Sequence, residues 1–525
     1  MLELKWDGKD EALKVAEETK IRLLEFDRNS SFKEKNSGNM IVQGDNLEVL
    51  KSLLPFYRGQ VKCIYIDPPY NTNAAIENYS DNFPHSDWLN MMYPRLELLR
   101  DFLSEDGAIF ISIDDTEQAY LKVVCDEIFT RKNFVASLVW EKKKKGSFLS
   151  KVVTNVKEYV LVYGKSDLFG GLIGEINRST ETYPCINPVN SRGIRIIPKG
   201  TPSNFREKNY QIEANTRISA GNMDLIYLDK AVIDDGILQN DVRIESNWRY
   251  QQSMIDEFAE QNSIYLTRDN YVRRIVKETR IKMLKDLLLR VGSDGESEKI
   301  FTYDENLNNG GWGTNEDAND ELHKIFGKQY AFDFSKPSRL IGKLIQTISD
   351  KDSIILDSFA GSGTTAHAVL KLNESDGGNR KFILIEDKDY CKTITAERVR
   401  RVGGSFDFYQ LGAEITDSEG KINSSVTFEQ LANFVWFSAT KTPYLEQKNS
   451  PLLGVYDGKA IYLLYNGILK DKSVKGGNVL TKKILSALPK YDGEKMIYGS
   501  ACRIEEKFLE ENKITFRQIP KELNL

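Results

Sequence analysis

Short apolar runs alternate with stretches of helical spacing from Met40 onward. Met40–Val42 reads as a strand ending at Gly44-Asp45-Asn46, and the apolar spacing of Leu47–Leu54 predicts a helix. Val61–Ile66 is a second, buried strand that runs into Asp67-Pro68-Pro69-Tyr70. Trp88–Leu103 predicts an amphipathic helix closed by Asp106-Gly107, Ala108–Ile113 a third strand, and Glu117–Phe129 another helix. Phe134–Trp140 and Glu158–Tyr163 predict paired β segments. This βαβαβ rhythm is that of a mostly parallel sheet with helices on both faces. Ahead of it, residues 1–38 are polar, with one amphipathic stretch, Leu13–Phe26, that predicts a helix.

The rhythm breaks between Lys165 and Ala331, where glycine, asparagine and proline are scattered and only Val272–Val291 predicts a long helix. It returns at Lys336, with a helix over Ser338–Ile348, strand Ser353–Leu356, a glycine-rich turn and helix Thr364–Leu372. Strand Lys381–Ile385 and a helix over Tyr390–Val399 follow. Beyond Arg401 a third texture begins, with strands such as Ala460–Tyr465 and a final helix near Ile504–Asn512. The chain therefore divides into an N-terminal helical segment (1–38), an α/β domain in two pieces (39–164 and 331–402), an insert (165–330) and a C-terminal α+β domain (403–525).

Composition narrows the class. A chain of 525 residues is too long for one core, and 28% charged with 10% aromatic residues is ordinary for a globular protein. No apolar run reaches the roughly 18–20 residues of a membrane helix, and the first residues lack a signal-peptide layout. Cys63, Cys125, Cys185, Cys391 and Cys502 lie far apart, which disfavours a zinc site or a disulfide framework and fits a reducing cytoplasm. His85, His323 and His367 are too dispersed for a metal site, so no metal is expected. The net charge of −5 is unevenly spread: residues 131–217 hold 16 Lys and Arg against 7 Asp and Glu. Lys142, Lys143, Lys144 and Lys145, followed by Gly146-Ser147, are the densest point, read either as a solvated loop or as part of a polyanion-facing surface.

Two local patterns carry chemistry. In Ile64-Tyr65-Ile66-Asp67-Pro68-Pro69-Tyr70-Asn71-Thr72 a buried strand meets two prolines, which fix φ and withdraw two backbone donors. An acid, two carbonyls and an aromatic ring then converge at the carboxyl edge of a sheet, where open α/β folds place ligands. In Ile354-Ile355-Leu356-Asp357-Ser358-Phe359-Ala360-Gly361-Ser362-Gly363-Thr364-Thr365, a strand, a glycine turn and a helix start let backbone approach a ligand closely. Glu386, at the end of the next strand, is placed to accept bonds from ribose hydroxyls. No phosphate-cradling GxxxxGK[ST] occurs.

Together these residues resemble the S-adenosylmethionine-dependent amino-methyltransferases of DNA. Asp67-Pro68-Pro69-Tyr70 is similar to the family's catalytic motif, and Phe359 through Thr365 to its cofactor motif. Their order resembles the β group, whose Rossmann-like fold is circularly permuted. Gly44-Asp45-Asn46 resembles the strand end that meets the cofactor's adenine, and Phe334-Ser335-Lys336-Pro337 the segment before the cofactor strand. Ser112-Ile113-Asp114-Asp115 and Glu158–Tyr163 are similar to segments after the catalytic loop. The resemblance implies catalysis by Asp67, Pro68, Pro69 and Tyr70. It implies S-adenosylmethionine binding by Asp45, Asn46, Asp67, Lys336, Pro337, Asp357, Phe359, Ala360, Gly361, Ser362, Gly363, Thr364, Thr365 and Glu386. Aspartate at the first motif position implies adenine N6 as the target. The insert takes the place of the target-recognition domain. Lys142 through Lys145, Arg192 and Arg195 are the candidate DNA contacts, with Arg206, Arg273 and Arg274 behind them.

From Phe406 to Ile519-Pro520, with Ile497-Tyr498-Gly499, the chain is similar to the tail of modification subunits of type III restriction-modification systems. That implies double-stranded DNA as substrate, a homodimer and a separate restriction subunit. An RNA or protein amino-methylase with the same loop, a stand-alone regulatory DNA methyltransferase and a catalytically silent DNA-binding subunit are the alternatives. Intact Asp67, Tyr70 and both turn glycines argue against the last.

Overall fold

The computed structural model describes residues 4–33, 37–72, 81–146, 153–296, 303–327, 332, 335–417, 421–442, 444, 450–465 and 478–519. Phe334, Ser147 and Pro520 lie outside the described residues. The chain forms two compact units, Met1–Glu175 with Met283–Leu525, and Ile176–Lys282.

The first unit is built on a ten-stranded sheet. Its spatial order is Arg22–Phe26, Asp407–Glu414, Met40–Gln43, Lys381–Glu386, Ile354–Asp357, Val61–Ile66, Leu103–Ile113, Lys157–Gly164, Phe134–Glu141 and Leu287–Leu288. The stretch from Asp407–Glu414 to Leu103–Ile113 is parallel throughout, so its carboxyl ends share one edge. Side chains alternate across it as the pleat requires. Ile64 and Ile66 pack on one face with Leu50, Leu53, Trp88 and Leu99, whereas Cys63 and Tyr65 pack on the other with Phe110, Leu340, Leu344 and Val369. Both faces being covered explains why these strands read as apolar runs and not as alternations. The helix after Met40–Gln43, Asn46–Tyr57, starts where the Asp45 carboxylate accepts the Leu47 and Glu48 N–H groups at 3.0 and 3.2 Å.

Ile354–Asp357 lies directly beside Val61–Ile66, although about 290 residues of chain separate them. The sheet is thus assembled from both pieces of the α/β region. None of the helices among the described residues is long and apolar enough to cross a membrane.

Several elements differ from the sequence expectation. Leu13–Phe26 is a helix only to Glu18; Arg22–Phe26 pairs antiparallel with Asp407–Glu414 and buries Leu23 and Leu24 against its neighbours. Val272–Val291 contains no helix: Val272–Val276, Arg280–Met283 and Leu287–Leu288 are strands. Its spaced Ile and Leu residues imitate a helical face, but β-branched Val272, Ile275 and Val276 find sheet partners in Ile264–Leu266 and Glu181–Pro184. The second compact unit is shorter at both ends than the expected insert of 165–330. Beyond Arg401 the Asp407–Glu414 strand still belongs to the main sheet, and Phe434 and Phe437 of helix Phe428–Thr440 pack on Phe56. A smaller sheet of Leu452–Tyr456, Lys459–Leu463, Glu494–Gly499 and Ile514–Gln518 has its own core around Tyr462, Leu464 and Ile497.

The regular structure of the second unit is mostly strand, with one helix, Gln252–Glu260. Its core gathers Ile197, Tyr227, Ile244, Trp248, Phe258 and Leu266.

Candidate active site

Four carboxyl-edge segments and the Ser335–Lys336 stretch meet around a cavity of about 220 Å³ lined by Asp45, Asn46, Asp67, Pro69, Lys336, Asp357, Ser358, Phe359, Ala360, Gly361, Ser362, Thr364 and Glu386. Most of the residues expected to hold a cofactor therefore face one space. Pro337, Gly363 and Thr365 stand behind that lining. Pro337 precedes helix Ser338–Gln346, and the Thr365 hydroxyl donates to Asp357 Oδ2 at 2.5 Å.

The glycine turn has a steric reason. Gly361 has φ +50° and Gly363 φ +79°, the left-handed region. A Cβ on Gly361 meets nothing closer than Phe332 at 3.8 Å, because it would stand in the cavity; on Gly363 it would lie 3.0 Å from the Thr395 carbonyl oxygen. The turn is tied to its neighbours: Gly361 N–H donates to Glu386 Oε2 at 2.7 Å, and Thr395 Oγ1 donates to the Gly361 carbonyl at 2.6 Å. Burial pushes Asp357 up to about 7 and Glu386 up to about 8, with Asp387 beside Glu386 adding to its rise. On the Asp45–Asn46 side, Asn46 Nδ2 donates to the Ser358 carbonyl at 3.1 Å. Arg95 donates to Asn46 Oδ1 at 2.5 Å and to Asp45 Oδ2 at 3.1 Å.

At the other end of the cavity stands the Asp67 loop. The Pro69 carbonyl accepts the Trp88 indole N–H at 2.7 Å, which anchors the rigid turn on helix His85–Phe102. Past the tyrosine, Asp81 accepts the backbone N–H groups of Asn71 and Thr72 at 2.7 and 3.0 Å, and Asn71 Nδ2 donates to buried Glu117 at 2.8 Å. Lys336 Nζ lies 2.9 and 2.8 Å from the two Asp67 oxygens and 5.0 Å above the Tyr70 ring. The Tyr70 hydroxyl lies 2.9 Å from Asp67 Oδ1 and 3.0 Å from Glu158 Oε2, so its single hydrogen is shared between the two carboxylates. Burial raises the Asp67 carboxyl above its ordinary range, against the pull of the Lys336 ammonium.

Lys142 is not part of the exposed run. Its ammonium is turned inward onto Glu158 Oε1 at 2.9 Å, because a buried carboxylate there requires a partner. Lys143, Lys144 and Lys145 are exposed, with Lys144 Nζ 3.5 Å from Asp317 Oδ1. In the second unit the Arg192 guanidinium is engaged by Asp224 and Glu245, and Arg195 donates to the Tyr250 carbonyl at 3.0 Å. Arg274 lies 3.9 Å from the Phe258 ring centre and pairs with Glu278.

Glu158, Arg95 and Arg398 were not singled out by sequence reasoning. Arg398 is wholly buried and donates to Ser362 and Thr364 at 2.8 and 2.7 Å and to Glu321 at 3.1 Å. It pins the glycine turn to helix Asn315–Phe326. Charged residues inside helical or strand patterns are weak signals alone, since only the fold reveals their partners.

Residues 61–397 match the family model of the DNA methylases that modify N6 and N4 amines. The chain is 33% identical over 409 residues to the StyLTI Mod subunit, a type III restriction-modification enzyme subunit of Salmonella typhimurium, covering 72% of this chain and 57% of that protein. It is 30% identical over 521 residues to the EcoP15I Mod subunit of Escherichia coli, covering 87% and 78%. The chain thus spans little more than half the length of the first of these relatives. A solved structure of a DNA modification methylase from Thermus thermophilus, complexed with S-adenosyl-L-methionine, aligns with 71% of this chain and all of that one, at 14% identity and TM-score 0.32.

Proposed function

The chain belongs to the DNA methylase family, and from that premise we propose that it transfers a methyl group from S-adenosylmethionine to adenine N6 in double-stranded DNA. One observation carries the reading: Asp67 and the Gly361 turn, on neighbouring parallel strands, open into the same cavity. A step that joins a methyl donor to a base amine needs the two within about 3–3.5 Å of each other.

The cavity fits the cofactor. The space a Cβ at Gly361 would fill, the acceptor oxygens of Asp45, Asp357 and Glu386, and the Asp67 carboxylate at the far end suit a hydroxyl-bearing nucleoside that carries a cationic group. S-adenosylmethionine supplies an electrophilic methyl group on a positively charged sulfur. The chain's own part is played on the amine. The adenine amine is a poor nucleophile because its lone pair is delocalised into the ring. Asp67 and the Pro68 carbonyl accept its two N–H bonds, which lets the nitrogen pyramidalise and turn its lone pair outward. Positive charge grows on that nitrogen during transfer, and the acceptors stabilise it electrostatically. Tyr70 offers a face for the extruded base, worth about 1–3 kcal/mol. The names of the relatives support the further reading of a type III modification subunit. We also propose that it works in the cytoplasm as a homodimer alongside a restriction subunit.

Tritium transfer from methyl-labelled cofactor to DNA, RNA and protein, followed by nucleoside analysis, tests the proposal. Label in N6-methyladenine of duplex DNA is expected. Label in RNA or protein alone would reject it.

Two variants probe separate parts. Gly361→Val should weaken cofactor affinity by at least about 10-fold, since the side chain enters the cavity, and should cost roughly 1–2 kcal/mol of stability from its positive φ. Calorimetric titration with S-adenosylhomocysteine, alongside a thermal melt, reads both. Replacing Lys143, Lys144 and Lys145 with glutamine should flatten the salt dependence of DNA binding, by about 0.9 in log–log slope for each phosphate these side chains neutralise. An unchanged slope would return these lysines to the solvent.

A further inference from the structure

Glu158 touches the catalytic loop yet has no part in the reaction described above. It sits near the start of strand Lys157–Gly164 and is buried. Its Oε1 accepts Lys142, while Oε2 shares the Tyr70 hydroxyl hydrogen and lies 3.6 Å from Lys336 Nζ. Lys336 gives its short contacts to Asp67, at 2.9 and 2.8 Å. Four charges therefore alternate in sign from Lys142 through Glu158 and Lys336 to Asp67. Each carboxylate oxygen has about two acceptor sites. Asp67 Oδ1 already holds Lys336 and shares the single Tyr70 hydroxyl hydrogen with Glu158, and Oδ2 holds Lys336. One acceptor site on Oδ2 is left over, and an amine that donates there meets the Lys336 ammonium, which lies against both oxygens and competes with it for the carboxylate. The other carboxylate paired with Lys336 is Glu158, 3.6 Å away.

We propose that Glu158 is a positioning residue for methyl transfer, receiving the Lys336 ammonium when the target amine takes its place on Asp67. This inference rests on the role given to Asp67. Without a second acceptor, the displaced ammonium would be left buried and unpaired, which is costly. With Glu158 present, the site exchanges one ion pair for another and keeps its charge. Burial pushes the Glu158 carboxyl up, but Lys336 and Lys142 together hold it below its ordinary range, so it stays ionised at neutral pH. Tyr65, Asp114 and Asp357 are the other titratable groups facing this cluster.

The test compares Glu158→Gln, Glu158→Asp, Lys336→Met and the double variant E158Q/K336M in single-turnover methylation of duplex DNA, with cofactor affinity measured by calorimetry. Glu158→Gln should slow transfer by up to about 10²-fold, the scale of a misplaced catalytic group, and leave cofactor affinity within about 3-fold. Glu158→Asp keeps the charge but lengthens the gap to Lys336, and should slow transfer less than Glu158→Gln. At alkaline pH, where Asp67 is ionised without help, E158Q/K336M should be faster than E158Q, because removing the lysine frees Asp67. A role confined to folding predicts no such recovery. Parental rates for both Glu158 variants, or a double variant no faster than E158Q, would overturn the proposal. If Glu158→Gln does not fold, Glu158→Asp at the parental rate overturns it. Asp67→Ala inactive beside fully active Glu158 variants would remove this inference alone, whereas all of them active would remove the assignment of Asp67.

Discussion

Asp67→Ala is expected to slow methyl transfer by at least about 10²–10³-fold, the loss typical of an electrostatic stabiliser removed from a reacting centre. The Asp67 carboxylate is the acid of its loop that faces the cavity, held by Lys336 and Tyr70 at 2.8–2.9 Å. Its loss leaves Lys336 within reach of Glu158, so the fold should survive while the rate falls. Some loss of cofactor affinity should accompany it, since the same carboxylate lines the cofactor cavity. Tyr70→Phe, which keeps the ring, should retain much activity; Tyr70→Ala should weaken base capture. Single-turnover rates on duplex DNA, with thermal melts as control, separate these effects. A near-parental rate for Asp67→Ala would show that the chemistry lies elsewhere.

The second large effect belongs to Lys336→Met. The ammonium lies against both Asp67 oxygens and faces Glu158, and removing it leaves two buried carboxylates sharing a site. Breaking such a pair costs about 3–5 kcal/mol when the remaining charge stays buried and unpaired. Burial already raises the Asp67 carboxyl, and Lys336 is the main force holding it down. Without the lysine that pKa climbs further. The carboxylate is the form that accepts the amine, so activity should be largely lost at neutral pH and should return as pH rises. Stability should move the other way. A carboxyl whose folded pKa exceeds its unfolded value binds more protons when folded, and its contribution declines as pH rises from the unfolded toward the folded pKa. Rate and melting temperature measured across one pH series should therefore diverge. Parallel trends would contradict the role given to Lys336.

The core of the fold was legible because its strands are buried on both faces and so read as apolar runs, as in Val61–Ile66 and Lys381–Glu386. The cavity was legible for a different reason. Two prolines in succession and two glycines at positive φ are backbone requirements written locally, at Pro68–Pro69 and Gly361–Gly363. What failed were stretches whose periodicity suits either state. Arg22–Phe26 and Val272–Val276 were decided by strands elsewhere in the chain, which no local window contains. Lys142 reads as one of four equal lysines, and only the inward path of its strand end brings it to Glu158. Glu158 opens a buried strand, and its partners come from three separate segments.

The strand order also sets when this protein can fold. Met40–Gln43 lies between Lys381–Glu386 and Asp407–Glu414, so the first strand of the parallel core is flanked only by segments made some 340 residues later. At ribosomal speeds of about 5–20 residues per second, that is a wait of roughly 17–70 s. During it the strand's backbone donors and acceptors lack their eventual neighbours, the condition under which exposed edges recruit other chains. The second compact unit, by contrast, is made of contiguous residues, so its own residues are all made together. High-contact-order assembly is slow even in the complete chain. Expression rate and the availability of chaperones therefore bear directly on how much active protein a cell obtains.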